Sequence, residues 1–174
     1  VNNEIYNHPQ KYIYHEHVWL LYRTEFFDKF IKTMQLDVFE SFRDRQITNS
    51  MLKENGKIRV LRSKNMQDDG TIVNKEGYDK YIDDVSNLQV GKYLNKRPMI
   101  MVNFTYNTRA TILPDNMIPN GSIAILTPKI LMSTEELTFY STPEFRKYYE
   151  IVKSKSRFTL NIDSSSLYYI GIKL

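Results

Sequence analysis

The sequence predicts an α+β fold, with a mixed, largely antiparallel sheet and flanking helices. Two patterns lead to this prediction. Apolar residues in 16–34 recur every three or four positions, which is the period of an amphipathic helix. Residues 99–106 (MIMVNFTY) form an almost continuous apolar run, and residues 108–113 follow closely enough to pair with it as a hairpin. We therefore expect one mixed domain, residues 46–174, preceded by a helical N-terminal extension, residues 1–45.

The other predicted elements are short. Along the chain we expect helices at 37–45, 47–52 and 76–85, a strand from Lys57 that turns at Asp69-Gly70, a strand at 122–126, helices from Ser133 and from Pro143, and a last strand at 167–172. The second of these last two helices begins near residues 141–144, because proline suits the first helical position and Glu144 is favoured there by the helix dipole.

Composition and charge restrict the class of protein. The 174 residues include no cysteine, which excludes disulfides and thiolate metal sites and predicts a reducing, cytoplasmic location. No apolar run of roughly eighteen residues is present, so we expect no membrane span. The chain has no signal peptide and begins at Val1, and we expect a piece of a larger protein. Residues 1–40 carry four Lys and Arg against six Asp and Glu, so the surplus of +4 comes from the remaining residues, which suits a polyanionic partner.

Motifs of several enzyme classes are absent from the sequence. No two glycines form a Gly-x-Gly arrangement, so no phosphate, dinucleotide or S-adenosylmethionine loop is present. No two prolines are adjacent, which excludes the Asn/Asp-Pro-Pro-Tyr/Phe tetrapeptide of adenine methyltransferases. The three histidines, His8, His15 and His17, all lie near the N-terminus, far in sequence from the serines of residues 164–166. We expect no catalytic residue, metal site or cofactor in this chain, and a cryptic hydrolase using one of these histidines is the least favoured hypothesis.

The stretch from Lys57 to Ile72 combines a strand with a basic, polar turn. Ile58 and Val60 alternate with Arg59, and Arg62, Ser63, Lys64 and Asn65 come next. Arginine, lysine, serine and asparagine side chains of this kind bind DNA phosphates and base edges. The alternative is a solvated hairpin whose basic residues face water.

The last third of the chain resembles the closing part of DNA target-recognition domains. Such domains occur in adenine-specific methyltransferases of bacterial Type II restriction-modification systems and in the specificity subunits of Type I systems. The matching features are, in order, Ser141, Glu144-Phe145, Tyr148, Lys153 to Arg157, Leu160-Asn161-Ile162 and Leu167 to Ile172. An earlier sequence motif of the same family resembles the pattern formed here by Ile58, Arg59, Asn65, Gly70 and Ile72. Residues 92–129 resemble the C-terminal region of large methyltransferases of the Alw26I/Eco31I kind, and the whole resemblance spans residues 46–174.

The resemblance implies a target-recognition domain that holds double-stranded DNA for base flipping and methylation by a catalytic domain outside this chain. S-adenosylmethionine would then be bound by that catalytic domain. Three segments carry the candidate DNA contacts, and we call them the first segment (57–72), the hairpin segment (103–109) and the third segment (153–159). The candidates are Arg59, Arg62, Ser63, Lys64, Asn65, Asn103, Thr105, Tyr106, Asn107, Arg109, Lys153, Lys155, Ser156, Arg157 and Thr159.

A second hypothesis assigns the chain to protein interaction. The predicted aromatic helix at residues 16–34 could dock on a neighbouring protein instead of completing a core. The two hypotheses predict different effects of salt on binding affinity, since only DNA binding weakens steeply as the salt concentration rises.

Overall fold

The computed structural model describes residues 2–15, 19–104, 107–155 and 161–174. Its α-helices are α1 (Asn2–Asn7), α2 (Glu25–Ile31), α3 (Pro143–Val152) and α4 (Ser164–Leu167). Its strands are β1 (Met34–Gln35), β2 (Phe39–Phe42), β3 (Ile58–Leu61), β4 (Lys80–Ile82), β5 (Met99–Phe104), β6 (Asn107–Ile112), β7 (Met117–Pro119), β8 (Ala124–Pro128) and β9 (Ile172–Lys173). Short 3-10 helices are Pro9–Tyr12, Asn49–Met51, Ser63–Asn65, Gln89–Tyr93 and Thr134–Ser141. The predicted α+β class is confirmed.

A central antiparallel sheet with the strand order β2-β8-β5-β6 organises the chain. A second sheet has the order β4-β3-β7, in which β3 is antiparallel to β4 and parallel to β7. The short strands β1 and β9 pair separately. Within the described residues, no helix has the length and apolar character needed to cross a membrane.

The central sheet separates two apolar cores. Met99 and Met101 of β5 pack into a core with α2, α3 and the C-terminal residues. Ile100 and Val102, the alternate residues of the same strand, pack with the three-stranded sheet. This alternation follows from the two-residue period of a strand, whose successive side chains point to opposite faces. The molecule therefore has helices on one face of the central sheet and the smaller sheet on the other.

Helix α2 and strand β2, which precede residue 46, pack and pair with the rest of the chain. Phe27 and Ile31 of α2 are buried in the same core as α3, and β2 is an edge strand of the central sheet. The helix expected at 16–34 is shorter, because Thr24 caps α2 by accepting a hydrogen bond from the Phe27 N–H (3.3 Å). Among residues 19–24, Trp19 instead forms a β-bridge with Ile13.

Two further predicted helices are strands in the structure. The expected helix at 37–45 is β2, since Asp37 has a φ of 55° and the residues after it pair with β8. The expected helix at 76–85 begins with a turn at Gly77, which has a φ of 69°, and then continues as β4 paired with β3. The β5–β6 hairpin and the Thr142-capped helix α3 are confirmed.

Candidate nucleic-acid interface

The first segment begins as a buried strand and continues as a turn that is held from inside. Asn65 is fully buried, and its side-chain oxygen accepts a hydrogen bond from the Arg62 N–H (3.0 Å). Its side-chain amide donates to Asp79 Oδ1 (2.7 Å) and to the Val73 carbonyl (3.2 Å). Asn65, which we expected to contact DNA, thus has its hydrogen-bonding groups occupied within the protein.

Arg59 is also turned inward. Its guanidinium donates to Asn74 Oδ1 and to the Val73 carbonyl, both at 2.6 Å, and its Nη2 lies 3.0 Å from Asp79 Oδ2. Burial raises the pKa of Asp79, but hydrogen bonds from the Lys75 N–H, Asn65 and Arg59 outweigh it, and the net effect is a lowered pKa. Arg59, which we expected to contact DNA, therefore binds groups of the protein at the base of the turn.

The exposed side of this turn carries hydroxyl and cationic groups. Lys64 is exposed, and Ser63 and Lys75 are partly exposed. The Arg62 guanidinium lies over the Tyr78 ring, with its Cζ 3.7 Å from the ring centroid. The turn thus has a buried, hydrogen-bonded side and a polar surface.

One side of the turn borders a cleft of about 740 Å³, which we call the arginine cleft. Its lining residues are Ser41, Arg43, Arg45, Ser63, Gly121, Ser122, Asn161, Ile162, Asp163 and Ser164. Serine hydroxyls, an asparagine amide and two guanidinium groups are typical ligands of nucleic-acid phosphates. Ser63 of the first segment and residues 161–164, which closely follow the third segment, therefore lie on one cleft.

Arg43 holds the walls of the arginine cleft together. Its Nε and Nη2 donate to the Ile162 carbonyl (3.2 and 3.0 Å), and its Nη1 donates to the Gly121 carbonyl (2.9 Å). Burial lowers the pKa of Arg43 from its ordinary value. Gly121 also lies close to the backbone of Asp44, where a Cβ would be 2.5 Å from the Asp44 carbonyl oxygen. Arg45, two residues beyond Arg43, is exposed.

The carboxylate of the arginine cleft is neutralised by a neighbouring lysine. Lys153 Nζ lies 2.5 Å from Asp163 Oδ2, and Asp163 also caps α4 by accepting from the Ser166 N–H (2.9 Å). Burial raises the pKa of Asp163, but the bonds from Lys153, Ser165 and Ser166 outweigh it and lower the pKa well below its usual range. Lys153, an expected DNA contact, is thus committed to an internal ion pair.

The other side of the turn borders a second cleft of about 460 Å³, which we call the lysine cleft. It is lined by Lys64, Met66, Gln67, Asp68, Lys75 and Arg109. Arg109 of the hairpin segment is buried, donates to the Met66 carbonyl, and places its Nε 2.8 Å from Asp68 Oδ1. The lysine cleft therefore joins the first segment to the hairpin segment, and Asp68 is balanced by Arg109.

The remaining candidates are distributed as follows. Asn103 and Asn107 lie on β5 and β6, where Asn103 is paired with Thr108 and Asn107 with Phe104. Lys155 is exposed and lies near the Tyr22 ring, 5.2 Å from its centroid. The other candidates, Thr105, Tyr106, Ser156, Arg157 and Thr159, lie outside the described residues.

The structure also identifies cationic residues that sequence reasoning missed. Arg45 lines the arginine cleft and Lys75 lines the lysine cleft. Among the described residues, Arg45, Lys64 and Lys75 form no ion pair. A signal was present for Arg45, because Arg43 and Arg45 are two residues apart and follow a strand. The prediction of a helix at residues 37–45 hides this pattern, because a helix would turn the two arginines to different sides.

The described residues contain no group of three histidine, cysteine, aspartate or glutamate side chains that could hold a metal ion. The clefts instead combine cations, hydroxyls and amides, which bind anionic, hydrogen-bonding ligands. In comparisons with known proteins, neither a protein-family model nor a curated protein matches this chain.

Proposed function

We propose that this chain is a double-stranded DNA-binding domain that recognises the target of an adenine-specific DNA methyltransferase. The observation that carries the proposal is the position of the turn at residues 63–65, which lies between the arginine cleft and the lysine cleft. The turn thereby links the first segment to the hairpin segment on one side and to the residues after the third segment on the other. A duplex that contacted both clefts would meet several phosphate-binding groups at once.

Three exposed or partly exposed cations would make the phosphate contacts. They are Arg45 in the arginine cleft and Lys64 and Lys75 in the lysine cleft. Hydroxyl and amide groups beside them, such as Ser63 and Asn161, would add hydrogen bonds to phosphates or base edges. Arg59, Asn65, Lys153 and Arg109 would support these groups from within instead of touching DNA.

The link to a methyltransferase comes from the sequence resemblance. The catalytic domain and its S-adenosylmethionine would belong to the same parent protein, outside this chain, and the target adenine would be flipped there. A cytoplasmic location follows from this role. The partner on the two clefts would be the duplex around the flipped base.

The proposal is tested by the fluorescence anisotropy of a labelled random-sequence duplex, measured from about 50 to 200 mM salt. We expect binding that weakens steeply with salt. Substituting Arg45, Lys64 or Lys75 by alanine should each weaken binding and reduce the salt slope by about 1. Lys96→Ala, which removes an exposed lysine away from both clefts, is the matched control. Absence of binding at about 50 mM salt, or a triple variant with the wild-type slope, would refute the proposal.

A further inference from the structure

Exposed aromatic side chains lie beside the basic turn that ends α3. Trp19 retains 51% of its accessible surface and Tyr22 retains 48%. They flank Leu20, which is fully buried and whose N–H donates to the Tyr12 carbonyl (2.7 Å). The Arg23 N–H donates to the Leu20 carbonyl (3.0 Å), so this is a tight turn anchored by Leu20.

The basic turn is fixed against these aromatic residues. Ser154 Oγ donates to the Trp19 carbonyl (3.4 Å), and Lys155 Nζ lies 5.2 Å from the centroid of the Tyr22 ring. The Lys155 N–H donates to the Glu150 carbonyl (2.7 Å), which holds the turn at the end of α3. Lys153 is neutralised by Asp163, whereas Lys155 is exposed. An ammonium group available to an anion therefore lies next to partly exposed aromatic surface.

We infer that Trp19, Tyr22 and Lys155 form a binding site for an unpaired nucleotide. The base would stack on aromatic surface and the phosphate would contact the lysine, the combination used by proteins that bind single-stranded nucleic acid. Charge complementarity selects this occupant, because a purely apolar partner would leave the lysine without a counter-charge. The inference rests on the proposed DNA-binding function and extends it, since a strand that has lost a base to flipping exposes unpaired nucleotides.

Trp19 is the only tryptophan of the chain, so its fluorescence reports directly on this site. We expect oligothymidylate to quench Trp19 emission to saturation. Lys155→Ala and Tyr22→Ala, which keep the reporter, should weaken this binding. For Trp19→Ala, measured by the anisotropy of a labelled oligothymidylate, the loss of one stacked base corresponds to roughly five- to 150-fold weaker binding. Lys96→Ala is the matched control, since Lys96 is exposed and distant in sequence from Trp19, Tyr22 and Lys155.

The outcomes separate this inference from the proposed function. Duplex binding without quenching by oligothymidylate, or with unchanged affinity in the Trp19→Ala and Lys155→Ala variants, overturns the inference alone. Quenching by oligothymidylate without any duplex binding supports the inference and overturns the proposed function. A shift of Trp19 emission caused by lipid vesicles or by rising protein concentration, with no response to oligothymidylate, assigns the surface to a membrane or a second copy and overturns the inference.

Discussion

Asp79→Ala should destabilise the protein severely, because Asp79 holds the turn on which the proposed interface is built. The Arg59–Asp79 pair is largely buried, with side-chain exposures of 8% and 13%. Removing one partner of a buried ion pair leaves an uncompensated charge and costs about 3–5 kcal/mol. The substitution also removes the acceptor of Asn65 and of the Lys75 N–H. For a chain of this size, we expect the thermal midpoint to fall by roughly 6–20 °C.

Urea unfolding followed by circular dichroism gives the free energy of unfolding for this comparison. Asp83→Ala is the matched control, because Asp83 pairs with Lys53 at a largely exposed position and should contribute far less. The pKa of Asp79 is lowered in the folded state, so its contribution is present at neutral pH and is lost as the pH falls through that lowered pKa. If Asp79→Ala costs no more than Asp83→Ala, the buried network does not hold the turn and the reasoning is wrong.

Three other changes test neighbouring parts of the structure. Gly70→Ala should lower the free energy of unfolding, measured in urea, by roughly 2–5 kcal/mol. Gly70 has a φ of 83°, and a Cβ there would lie 2.8 Å from the Ala110 carbonyl oxygen. Gly77→Ala should cost less, because the space around Gly77 is open. Asp163→Ala removes the α4 cap and should lower the free energy of unfolding by about 1–2 kcal/mol at neutral pH. Because the pKa of Asp163 is lowered in the folded protein, this difference from wild type should disappear as acid protonates the carboxylate. Burial raises the pKa of Tyr169 to about 12, so its ionisation should lower the free energy of unfolding between about pH 10 and pH 12. Tyr169→Phe should reduce this loss in urea unfolding, and an equal loss in both proteins would contradict the reasoning.

The sequence predicted elements whose signals are local. The β5–β6 hairpin follows from one apolar run and an adjacent partner, and α3 follows from Pro143 and Glu144. The strand β2 was not predicted, because its partner, β8, is distant from it in sequence and no local pattern indicates the pairing. Tertiary contacts of this kind regularly override local propensity.

The direction in which each candidate side chain points could not be predicted from the sequence. The first segment borders both clefts, but Arg59 faces inward because Asp79, distant in sequence, supplies its counter-charge. Arg109 faces inward for the same reason, since Asp68 and the Met66 carbonyl bind it. A basic residue next to an apolar strand can bind either a phosphate of DNA or a buried carboxylate of the protein. The tertiary structure determines which of the two it binds.

Amide hydrogen exchange with and without a random-sequence duplex at about 50 mM salt tests the central claim most directly. If the two clefts bind DNA, protection should appear at residues 43–47, 62–68 and 161–164, and it should disappear at high salt. Protection confined to the β1–β9 pair and the loop around Leu131, with no change at 62–68, would contradict the account.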